Sequence, residues 1–173
     1  MWDFVKDRQF YSRQFLGAGS CSDVMSYSDS NQGRVLAVGF DNGIVRILLV
    51  GSHDFMILKA FKAHDTKVVR VKYSPDNSMF VTASEDGDIF FFQIGTDNLQ
   101  RYDPLCMVKI PSANATTIKD LRWDSNSSHI LVGCANGRVY QYQRPNPKDI
   151  DNHETYLAQN LPYREWCIKM MEF

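Results

Sequence analysis

The sequence predicts an all-β fold, in which about three complete four-stranded antiparallel sheets stand side by side as blades of a β-propeller, with partial strands at the ends. Three observations predict it. Stretches 24–50, 68–94 and 118–144 can be laid under one another as the same pattern of strands and turns. Each stretch has a tight Asn-Gly or Asp-Gly turn, with glycines at Gly43, Gly87 and Gly137. The turns recur at roughly the 40–50-residue period of a four-stranded blade.

Within each unit the elements follow in a fixed order. First comes an alternating strand that ends on an aromatic residue, at Tyr27, Tyr73 or Trp123, followed by a polar turn. A short apolar run is next (VLAVGF, FVTAS, ILVGC), then the glycine turn, for which a two-residue hairpin with positive φ at both central positions is expected. The third strand places apolar residues two apart, as in Val45/Ile47 and Ile89/Phe91, so that they share one sheet face. The fourth strands are expected in the connections, at FMILKAF (55–61) and PLCMVKI (104–110). These elements give blades around 18–61, 62–110 and 111–160. Segment 161–173 then reads as an amphipathic helix, because Tyr163, Trp166, Cys167, Met170 and Met171 follow the i, i+3, i+4 spacing. Its alternative is the first strand of a next blade. The Pro-rich stretch 144–154 reads as a linker or exposed loop.

Composition narrows the function classes. A chain of 173 residues that is 44% apolar and 13% aromatic has ample material for a core. A net charge of −1 gives no global pull toward nucleic acid or anionic membrane. No apolar run approaches the roughly 18–20 residues of a membrane span, and the first residues lack a signal-peptide pattern. Cys21, Cys106, Cys134 and Cys167 lie far apart, which favours a reducing cytosolic setting over a disulfide framework or zinc site. No metal, cofactor or small-molecule substrate is expected, because the nucleotide-loop, zinc-protease and nucleophile-elbow motifs are absent. The basic residues Lys59, Lys62, Lys67, Arg70 and Lys72 read as a solvated edge, and Phe90-Phe91-Phe92 as core.

The middle unit, from Ala63-His64 through VVRVKYSPDNSMFVTASEDGDIFFF, resembles a WD40 repeat over nearly its whole length. That resemblance implies a buried hydrogen-bond network formed by a His before the first strand, a Ser or Thr in the second, an Asp in the following turn and a Trp in the third. His64, Ser84 and Asp86 match the first three positions, and Phe92 stands where the Trp would be. In the flanking units Asn42 and Asn136 replace the Asp, while Leu48 and Tyr142 replace the Trp. A histidine, an aspartate and a serine also invite a hydrolase reading. Ser84, however, lies inside an apolar strand rather than in a cleft with oxyanion donors, so the group is expected to be structural. By the family pattern, Asp65, Lys67 and Thr117, just before the first strands, lie near the face that meets partners. Trp2-Asp3 resembles the end of a preceding blade's strand, and the chain is expected to be an excerpt of a larger protein or to complete its ring with other segments.

Wording such as LAVGFDNGIVRIL and EDGDIFFF, with the expected propeller-to-helix order, is also similar to the WD-repeat cilia- and flagella-associated proteins. This likeness implies a propeller followed by coiled coil, tethering dynein-arm or radial-spoke assemblies to the axoneme. The expected function is a non-enzymatic protein-interaction scaffold in a large cytosolic or cytoskeletal assembly. The alternative is a substrate- or peptide-recognition module of a ubiquitin ligase or chromatin complex. Protein partners are expected in either case, and nucleic acid, membrane and small-molecule substrates are not.

Overall fold

Alternating apolar positions and glycine-tipped turns fold here into strands throughout. The computed structural model describes residues 2–3, 8–9, 14–25, 34–51, 55–95, 101–111, 117–149 and 161–167. A short ribbon pairs β1 (Trp2–Asp3) with β2 (Arg8–Gln9). Three antiparallel sheets follow, each with its strands in sequence order. Blade 1 consists of β3 (Gly19–Val24), β4 (Arg34–Phe40), β5 (Ile44–Val50) and β6 (Phe55–Lys62). Blade 2 consists of β7 (Val68–Tyr73), β8 (Met79–Ser84), β9 (Asp88–Ile94) and β10 (Tyr102–Lys109). Blade 3 consists of β11 (Ile118–Trp123), β12 (His129–Cys134), β13 (Arg138–Gln143) and β14 (Tyr163–Cys167).

The repeat is accurate down to its irregularities. The first strand of every blade carries a register shift at the same place, between Gly19 and Cys21, Val68 and Arg70, and Ile118 and Asp120. Such a bulge bends and twists the strand locally. In each hairpin the glycine N–H returns to the carbonyl three residues back: Gly43 to Phe40, Gly87 to Ser84 and Gly137 to Cys134. The glycines alone have positive φ (79°, 92° and 75°), while Asn42, Asp86 and Asn136 do not. The expected two-residue turn with two positive φ values is therefore corrected. These hairpins have a type I turn closed by a left-handed glycine, the three-residue alternative that also suits the strand twist.

The core lies between blades. One apolar cluster joins Ala37, Val45 and Ile47 of blade 1 to Val71, Tyr73, Phe80, Phe92 and Tyr102 of blade 2. A second joins Val81, Ala83, Ile89 and Phe91 of blade 2 to Ile130, Val132, Tyr140 and Tyr142 of blade 3. Blade 2 is thus buried on both faces, and every residue of β8 is buried. Close approach sets the residue size at one point, because a Cβ on Gly39 would stand 2.6 Å from a Val68 methyl. Only glycine lets the first strand of blade 2 sit this close. In the 1–2 core the Tyr73 and Tyr102 hydroxyls satisfy each other at 3.0 Å.

Two expectations about strand placement are corrected. The first strand of blade 1 is Gly19–Val24, so Val24 rather than Tyr27 is the counterpart of Tyr73, and Tyr27 lies outside the described residues. Segment 163–167 is neither a helix nor the start of a next blade. It pairs with β13, from Arg138↔Cys167 to Tyr142↔Tyr163, and supplies the fourth strand of blade 3. Tyr163 meets Tyr140 edge-on at 6.0 Å and Tyr142 at a tilt at 5.6 Å, contacts that fix the strand against blade 3. Residues 168–173, including Met170 and Met171, lie outside the described residues. The Pro-rich stretch is partly docked: Arg144 reaches Asp76 and Ser78 of blade 2, and Pro147–Asp149 form a short 3-10 turn.

Candidate interaction surface

All three glycine turns and the connections into the first strands lie along one edge of the sheets. Backbone bonds repeat the arrangement: Asp41 N–H to Ala18, Glu85 N–H to Lys67 and Ala135 N–H to Thr117. Gly43 also accepts the N–H groups of Ala63 and His64, and Gly87 accepts that of Ile110. This edge is a rigid frame with short polar side chains on it. Asp65 and Lys67 are exposed on it, and Thr117 is half-buried. Asp65 pairs with Lys62 at 3.5 Å, and its side chain is 98% exposed.

His64 and Ser84 are buried beneath this edge while Asp86 is exposed in the turn on it, so the expected buried network is corrected and divides into two groups. His64 Nε2 meets Thr82 Oγ1 at 2.8 Å, not Ser84 or Asp86. Thr82 sits two residues before Ser84, on the same sheet face, so the histidine's partner is displaced by one strand period. Asp86 instead accepts bonds from Ser84 Oγ and from Thr66 Oγ1, the latter at 2.9 Å. Ser84 Oγ in turn caps the Asp88 N–H. Phe90, rather than Phe92, lies against the imidazole, edge-on at 5.1 Å. Thr82 and Thr66 are partners that the family pattern does not include. Alternation along FVTAS puts Thr82 on the same face as Ser84 without separating the two.

Electrostatics agree with a structural role. Burial, partly opposed by the Asp86 and Asp65 charges, pushes the His64 pKa down to about 4, so the ring is neutral at physiological pH. Burial acts to raise the Asp86 pKa, but the Ser84 and Thr66 hydroxyls outweigh it and hold the carboxyl below its ordinary value. Ser84 is fully buried and its hydroxyl donates a hydrogen bond to Asp86, so it has neither the open cleft nor the histidine base of an acyl-transfer nucleophile. The flanking turns use asparagine differently: Asn42 and Asn136 accept the N–H two residues on, from Ile44 and Arg138. Blade 1 fills the space with Arg46, stacked 4.3 Å from the centre of Phe40 and 5.0 Å from that of Phe15.

The inner strands are cross-tied. Lys72 of β7 bonds Asp23 of β3 at 2.8 Å, and Asp23 also accepts the Tyr73 N–H. On the other side Arg70 bonds Asp120 of β11 at 3.0 Å, and Arg122 shares that carboxylate. Two cations of the sequence's basic run are thereby neutralised between blades. Among the described residues no group of histidine, cysteine and carboxylate side chains is placed to hold a metal, and the described cysteines are unpaired.

This geometry defines the class: the described sheets are β-propeller blades, and the chain carries a WD40 repeat. Residues 55–93 match the WD40 family model, described as WD domain, G-beta repeat, and comprise the outer strand of blade 1 with the three inner strands of blade 2. A solved structure of the Myceliophteria thermophila Cps50 (Swd1) β-propeller domain superposes with a TM-score of 0.58 at 10% identity, covering 74% of this chain and 38% of that one. Among curated proteins, the chain is similar to cilia- and flagella-associated protein 44. Identity to the Mus musculus protein is 25% over 93% of this chain, and to the Chlamydomonas reinhardtii protein 25% over 69%. It also matches Homo sapiens WD repeat and HMG-box DNA-binding protein 1, 25% identical over 79% of this chain. The chain spans 9% and 7% of the length of the two cilia- and flagella-associated proteins.

Proposed function

We propose that this chain is a non-enzymatic docking platform for other proteins within a large assembly. The carrying observation is the repeated edge, where Asp65, Lys67, Glu85 and Thr117 stand on a frame fixed by three equivalent sets of backbone bonds. A surface held this firmly loses little freedom when a partner binds, so its contacts carry a small ordering cost. The finer reading places the assembly in the cytoplasm, at the cilium or flagellum, with the blades tethering dynein-arm or radial-spoke components. Similarity to cilia- and flagella-associated protein 44 supports it.

The alternative, a peptide reader in a ubiquitin ligase or chromatin complex, calls for cationic or aromatic groups converging on the channel side. The pairing of Lys72 with Asp23 and of Arg70 with Asp120 weighs against that requirement. Crosslinking mass spectrometry on the native assembly tests the proposal. Recurrent crosslinks from Lys67 and Lys119 to a second polypeptide are expected. Recovery of the chain always alone and monomeric overturns the scaffold reading, and a tagged full-length protein absent from cilia overturns the ciliary one.

A further inference from the structure

The two blade interfaces differ at equivalent positions, and the difference opens a groove. Between blades 2 and 3, the outer strand contributes Cys106, Val108 and Ile110, which are 1%, 4% and 3% exposed and pack against Tyr140 and Tyr142. Between blades 1 and 2, pairing register puts Lys59, Phe61 and Ala63 in those positions, opposite Phe90 and Phe92. There the packing does not close. A cavity of about 370 Å³ remains, lined by these five residues, by Lys62 and by parts of Tyr102 and Pro104. The groove is partly open to solvent, whereas the neighbouring interface fills the equivalent space with apolar side chains.

We propose that this groove is a docking site for a partner's peptide segment in which an apolar side chain is flanked by carboxylates. The floor is aromatic, with the Phe61 and Phe92 rings 5.0 Å apart. Lys59 and Lys62 supply cations to its lining, and none of the lining residues is acidic. The Lys62–Asp65 pair is held at 3.5 Å by two mostly exposed side chains, a bond weak enough to be exchanged for an incoming carboxylate. An apolar anchor in a desolvated pocket with a charged rim is the arrangement of an interface hot spot. The inference rests on the interaction-scaffold reading and adds where one partner binds and what chemistry it presents.

Selection of a random-peptide phage library on the full chain tests it, with Lys59→Glu/Lys62→Glu and Ala63→Trp variants for comparison. Selected peptides are expected to share an aromatic or branched aliphatic residue beside Asp or Glu. Their fluorescein-labelled forms should bind at least tenfold more weakly to the charge-reversed variant, and their binding to the wild-type chain should weaken as salt rises. Ala63→Trp fills the groove and should abolish binding. The charge-reversed variant, altered only at the groove's lysines, serves where the tryptophan variant fails to fold. A consensus without carboxylates, or binding unchanged in the charge-reversed variant, overturns the proposal, as does dimerisation of the chain that Ala63→Trp abolishes, since a second copy then occupies the groove. Loss of this site with crosslinks from Lys67 preserved refutes the groove alone and leaves the scaffold standing.

Discussion

His64 makes stability depend on pH in a defined window. Its pKa in the fold is about 4, against an ordinary value of 6.5, because burial disfavours the imidazolium. Below pH 6.5 the unfolded chain takes up a proton that the folded chain refuses, so acidification favours unfolding. The contribution is fully present above pH 6.5 and is lost as pH falls toward 4. Each pH unit within that window costs about 1.4 kcal/mol, or roughly 3 kcal/mol over its whole span. Urea unfolding of the wild-type chain and a His64→Gln variant at several pH values between 7 and 4 measures the effect. Carboxylates titrate alike in both proteins, so the difference between the profiles isolates the histidine. The wild-type midpoint should fall more steeply on acidification. Parallel profiles, or a wild-type chain that gains stability relative to the variant on acidification, would refute the burial argument.

Two further predictions follow from local geometry. A Cβ on Gly43 would stand 1.9 Å from the His64 carbonyl at a φ of +79°, whereas nothing lies within 4 Å of one on Gly133. By urea denaturation Gly43→Ala should destabilise by about 2–4 kcal/mol, and Gly133→Ala should be neutral or stabilising by up to about 1 kcal/mol. Among the inter-blade ion pairs, Lys72–Asp23 has side chains about one-fifth exposed, while Arg70–Asp120 is 37% and 47% exposed. Double-mutant cycles should give a coupling of about 1.5 kcal/mol for the first and less than about 1 kcal/mol for the second, with the opposite ranking counting against burial as the deciding factor.

The fold was legible where residue type alone sets geometry. Glycine at 43, 87 and 137 marks the turn between the second and third strands of each blade, FMILKAF falls within β6, and PLCMVKI covers most of β10. Legibility failed where tertiary contacts decide. The strand GSCSDV has almost no apolar signal, because its Ser20 and Cys21 side chains meet the Val68 carbonyl and its Asp23 answers Lys72. In blade 1 the connection after that strand is also longer than the SPDNS and DSNSS turns, which pulled the aligned run forward onto Val24. The helical spacing of Tyr163, Trp166 and Cys167 is coincidental, because pairing with β13 makes 163–167 a strand whose alternate residues face opposite ways. At the candidate site, Ser84 and Thr82 share a face, so period alone did not separate them. The position of the His64 ring did.

Consecutive four-stranded blades pack face to face, with the first strand of one set against the first strand of its neighbour and reaching that neighbour's second strand. A methyl-directed NOESY spectrum tests it at one point. Strong cross-peaks from the Val68 methyl groups to the Gly39 α-protons are predicted, because that contact spans two blades and only glycine admits it. Their absence in the folded protein, or helical sequential patterns over 68–73 or 34–40, would contradict the account.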